Sequence, residues 1–128
     1  MSYYFAKILD SGVDESVARV TDALKAEGFG ILTTIDVQAT LKSKLGVDFP
    51  SYRILGACNP ALAHQALQIE DKVGTMLPCN VVVHSLADGR TEIAAIDPVA
   101  SMQAIPNQQL REAAEQVREK LERVIATL

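Results

Sequence analysis

The segment "NVVVHSLADGRTEIAAID", residues 80–97, constrains this chain more than any other. Two strand-like runs flank "ADGR", and an Asp-Gly pair between apolar runs is the strongest short-range signal for a β-hairpin. Three further segments have the same β-branched or aromatic character: "YYFAKIL" (3–9), "ILTTIDV" (31–37) and "SYRILGAC" (51–58). The hairpin makes antiparallel pairing the expectation for all five.

Helical spacing appears at both ends of this strand set. Val13, Val17, Val20 and Leu24 recur on one face of a segment predicted to be helical over 13–27. Asp14 and Glu15 fall in its first turn, where the helix dipole favours anions, and Gly28 suits a left-handed terminator. A last helix starts near Asn107 and aligns Leu110, Ala114, Val117, Leu121, Val124 and Leu128. Its other face is charged, and Glu119 and Arg123 are ordered correctly for an i,i+4 pair.

Two shorter helices are expected between strands. "ATLKSKLG" sets Leu41 and Leu45 on one face and Lys42 and Lys44 toward water, with Gly46 as the stop. In "NPALAHQALQ", Asn59 is a suitable N-cap, Pro60 fits the first turn, and Leu62, Ala66 and Ile69 form an apolar face. "PVASMQAIP" reads as irregular. The resulting β-α-β-β-β-β-α order predicts an α+β two-layer sandwich, an antiparallel five-stranded sheet with both long helices on one face.

A chain of 128 residues fits a single domain over 1–128, long enough to bury roughly two-thirds of its unfolded surface. With 48% hydrophobic but only 5% aromatic residues and no Trp, the core must be built from Val, Ile, Leu and Ala. A net charge of −4, with basic residues dispersed, argues against nucleic acid as a partner. No apolar run approaches the ~20 residues of a membrane span, and the first residues have no basic stretch leading into an apolar one. A cytoplasmic location is the default, in which the two cysteines, Cys58 and Cys79, are free thiols.

Three segments in order, "EGFGILTTIDVQATLKSKLG", "YRILGACNPALAHQAL" and "LPCNVVV", resemble the bacterial family called domain of unknown function 302, whose known structures have a TT1751-like fold. The likeness spans nearly the whole chain. Cys58, Asn59 and Pro60 match one motif of the family; Leu77, Pro78, Cys79 and Asn80 match another; Gly28, Phe29 and Gly30 match its glycine turn. The resemblance implies the same sandwich, a tendency to form homodimers and no established activity or cofactor.

If the third and fourth strands are antiparallel neighbours, Cys58 and Cys79 come to the same edge of the sheet. Cys58 would precede a helix N-terminus, which favours a thiolate; against this, free cysteine is among the most buried residue types and often acts only as an apolar filler. A ligand site there would include Cys58, Asn59, Pro60, Pro78, Cys79 and Asn80, with the two asparagines as hydrogen-bonding groups. In a redox or enzymatic alternative Cys58 is the reactive thiol and Cys79 the resolving one. In a metal-binding alternative Cys58, Cys79 and His64 are ligands, although neither cysteine belongs to a C-x-x-C pair; His64 otherwise reads as a solvated helix residue. His84 reads as a partly buried sheet residue. Asp36 and Asp97, at strand ends, serve either a pocket or a cap. No G-x-S-x-G elbow, phosphate loop or H-E-x-x-H occurs, so hydrolase, nucleotide and zinc-protease readings lack their required parts, and the leading reading is binding without turnover.

Val81, Val82 and Val83 put apolar groups on both faces of one strand, and Ile31, Leu32 and Ile35 do so on another. Two long helices cover only one face, so the second is expected to be buried in a homodimer. A purely structural dimer without ligand is the remaining alternative.

Overall fold

The computed structural model describes residues 2–128. Its elements are β1 Tyr4–Leu9, α1 Val13–Ala26, β2 Gly30–Asp36, α2 Val37–Leu45, β3 Tyr52–Cys58, α3 Pro60–Ile69, a 3-10 helix Asp71–Met76, β4 Cys79–Ser85, β5 Thr91–Ile96, α4 Pro98–Ser101 and α5 Gln108–Ala126. All strand pairs are antiparallel, in the order β1-β5-β4-β3-β2. This is the expected α+β two-layer sandwich, with α1 and α5 together on one face.

Local chemistry sets most boundaries. α1 ends in a Schellman-type turn: Gly28, at φ +87°, and Phe29 donate their N–H groups back to Lys25 and Leu24 at 3.0 and 2.9 Å. Three of the four longer helices begin at a side chain that accepts a backbone N–H: Asp36 from Ala39, Asn59 from Leu62 and Asn107 from Leu110. The β4–β5 turn closes through Leu86 N–H to Arg90 C=O at 2.8 Å, with Gly89 at φ +86°.

Strand alternation divides the sheet. Leu55, Val81, Val83, Ile93 and Ala95 point toward the helices and are buried together with Val20 and Leu24 of α1 and Leu121, Val124 and Ile125 of α5. Side-chain contacts also join the layers: Arg118 of α5 donates to the nearly buried Asp97 carboxylate at 3.1 Å and lies 5.5 Å from the centre of the Phe5 ring.

Several expectations need correction. Arg123 pairs with Glu27 rather than Glu119; its guanidinium forks onto one Glu27 oxygen at 3.1 and 3.0 Å. That contact ties the end of α1 to α5 and holds the Glu27 carboxyl below its ordinary range. α2 buries none of its residues, and Leu45 is exposed. "PVASMQAIP" is not wholly irregular, since Asp97 caps α4 by accepting from Val99 N–H at 3.0 Å, with Pro98 in the first turn. Asp36 and Asp97 therefore both act as caps.

Candidate functional site

The site forms where β3 ends and β4 begins. Ala57 and Cys79 are direct partners across these strands, while Cys58 pairs with Gly30 on the other side. The chain leaves this edge at Asn59, runs through α3 and the 3-10 helix, and returns at Pro78. That excursion does not close down on the sheet. Between it and α5 lies a cavity of about 350 Å³.

Each wall has a separate origin. The floor is Phe29, Ala57, Cys58, Pro78 and Cys79, from the sheet edge and its turns. Leu62, Ala63, Ala66 and Leu67 of α3 form one side, and Leu110, Ala113, Ala114 and Val117 of α5 the other. Leu32 joins them at the point where a register irregularity between Ile31 and Thr33 breaks the β2–β3 alternation. Small residues at the facing positions of α3 and α5 leave the space open.

The glycine turn, the Cys-Asn-Pro segment and the Pro-Cys segment meet at this floor. Asn59 accepts Leu62 N–H through its Oδ1 at 3.3 Å, so its amide orientation is fixed by α3. A Cβ added at Gly28 would approach the Asn59 Nδ2 to 3.1 Å, which shows how closely the α1 turn packs against the cap. Gly56 is constrained more tightly: a Cβ there would come within 2.7 Å of the Pro78 ring and closer still to the Thr33 hydroxyl.

Four of the six expected site residues, Cys58, Asn59, Pro78 and Cys79, line the cavity. Pro60 is exposed and serves the first turn of α3. Asn80 follows Cys79 on the opposite side of the strand and lines a second, smaller pocket of about 240 Å³, so the two asparagines do not face one ligand. His64 is exposed and outside the cavity wall. Among the described residues no three His, Cys, Asp or Glu side chains are grouped to hold a metal, so the Cys58, Cys79 and His64 ligand set does not assemble.

The thiols are unbonded and unequal. Cys58 is half-buried, whereas Cys79 is buried. Burial pushes the Cys79 thiol up to about 11, with neighbouring Cys58 adding to the effect, so Cys79 is neutral at physiological pH. A pair of thiolates is therefore not formed there, and Cys79 contributes an apolar surface. The α5 wall was not anticipated from sequence, nor was Met102, which joins the lining just after α4. The adjacent alanines 113 and 114 on the apolar stripe of α5 were the available signal, but only docking of α5 against α3 makes them a wall.

His84 is half-buried on the sheet surface as expected, with Nε2 at 2.9 Å from Glu92 Oε1 and its ring beside Tyr52. No helix among the described residues is long and apolar enough to cross a membrane.

Comparison with known proteins agrees with this architecture. The chain is similar to an uncharacterized conserved protein from Bacillus stearothermophilus, whose crystal structure superposes with a TM-score of 0.91 at 30% identity, over 98% of each chain. No curated protein matches this chain. The profile of the family described as domain of unknown function DUF302 matches residues 5–128, and the chain belongs to that family.

Proposed function

We propose that this protein binds a small apolar molecule in the cavity between α3 and α5, without turning it over. The supporting observation is the cavity itself: about 350 Å³ with a wall that is almost wholly hydrocarbon. That size and lining are typical of small-molecule sites, which carry few polar groups. Here those groups are the Asn59 amide and the Cys58 thiol at the sheet edge. Unpaired cysteines suit a reducing compartment, so the reading assigns this binding to the cytoplasm.

The test is titration with N-phenyl-1-naphthylamine, an uncharged dye that brightens in apolar surroundings. Saturable binding of one dye per chain is expected, and it should be lost in Ala63→Phe, which fills the cavity from the half-buried face of α3. Circular dichroism melting establishes that this variant is folded. Absence of saturable binding to the wild type, or full binding by the folded variant, refutes the reading.

We also propose a homodimer formed through the sheet face opposite α1 and α5. Its support is a continuous apolar row across all five strands: Ala6, Ala94, Val82, Ile54 and Ile35 occupy successive cross-strand positions. Ile8 and Ile35 on this face are 44% and 47% exposed.

A further inference from the structure

We infer that the cavity selects uncharged aliphatic molecules and discriminates against carboxylates and amines of the same length; this rests on the ligand-binding reading above. Among the described residues, no Lys, Arg, His, Asp or Glu side chain lines the wall. A carboxylate or ammonium drawn into it would lose its hydration and find no opposite charge, which is strongly unfavourable.

The three polar or polarisable groups present do not supply that charge. Cys79 is buried and neutral, and Asn59 carries only an amide. The Asn59 Oδ1 is already engaged by Leu62 N–H, which leaves its amide N–H groups as donors for a neutral hydroxyl or carbonyl oxygen. Cys58 is a half-buried thiol, a weak donor suited to the same kind of partner.

The rest of the wall distinguishes aliphatic from aromatic ligands. It consists of Leu, Ala, Val, Met and Pro side chains, with Phe29 as its single aromatic ring. Such a surface provides no aromatic pair to favour a ring, while every methylene that enters leaves water. Affinity should then rise about fourfold per added methylene until the cavity is full.

Calorimetric titration at neutral pH with three matched series tests this: straight-chain alkan-1-ols, alkanoates and alkylammonium ions. The expected result is a stepwise gain along the alcohol series, with both charged series binding at least about tenfold more weakly at equal length. The gain should disappear in Ala63→Phe. Charged ligands binding as well as the alcohols would overturn the selectivity while leaving the cavity as a ligand site. Binding of N-phenyl-1-naphthylamine without binding of any alcohol would overturn the aliphatic preference. Failure of the dye and all three series would remove the ligand-binding reading together with this one.

Discussion

Cys79 and Cys58 stand one residue out of step across the same strand pair, yet their surroundings separate them. Cys79 is enclosed by β4 and the cavity floor, and transferring a thiolate there from water costs more than leaving the proton on. Its pKa is raised from an ordinary 9.0 to about 11, so the folded protein holds this proton more tightly than the unfolded chain does. The linked stability is complete below pH 9 and is lost as pH rises toward 11. Because one pKa unit corresponds to about 1.4 kcal/mol, the loss from this thiol is on the order of 3 kcal/mol at full titration. Urea denaturation of wild type and Cys79→Ala at pH 8 and pH 11 measures it. The difference between the two proteins should shrink by roughly that amount at the higher pH, and a difference independent of pH would refute the assignment.

Helix capping shows how one element serves both folding and the site. Asn59 and Asn107 each accept the N–H three residues ahead, at 3.3 and 3.1 Å, but only Asn59 lines the cavity. Asn59→Ala and Asn107→Ala should each lower stability by about 1 kcal/mol. Only Asn59→Ala should also alter alcohol binding, because it removes the amide from the wall. Equal effects of the two substitutions on binding would make Asn59 a cap alone. The Asn-Pro start of α3 was legible in the sequence because its chemistry is local. The same chemistry recurs at Asp97-Pro98, where the short α4 was not anticipated because four residues have too little apolar periodicity to show. The 3-10 helix Asp71–Met76 was equally hidden; its core residue Val73 is fully buried only because Leu110 and Ala66 pack beside it.

At the scale of the molecule, one sheet face is sealed by α1 and α5 and the other has its apolar row open. Light scattering at tens of micromolar, an ordinary range for self-association, should give twice the chain mass of 13.8 kDa. Val82→Lys, in the middle of the row, should yield a monomer that still binds N-phenyl-1-naphthylamine, since Val82 does not line the cavity. A wild-type monomer would dispose of the dimer, and loss of dye binding by the folded monomeric variant would show that the two surfaces are coupled.

The sequence by itself determined the sandwich. Period-two runs, the Asp-Gly turn, the Gly28 terminator and the amphipathic stripes of α1 and α5 are short-range signals, each acting over a few residues. It also brought Cys58 and Cys79 to one sheet edge, because antiparallel adjacency follows from strand order. Only the tertiary structure decided what that edge encloses. The cavity exists because α3 and α5, about fifty residues apart, face each other through alanines, and Asn80 and His64 fall outside it through strand alternation and helix phase. The raised pKa of Cys79 has the same origin: its desolvation depends on every element packed around it, and no local pattern encodes that sum.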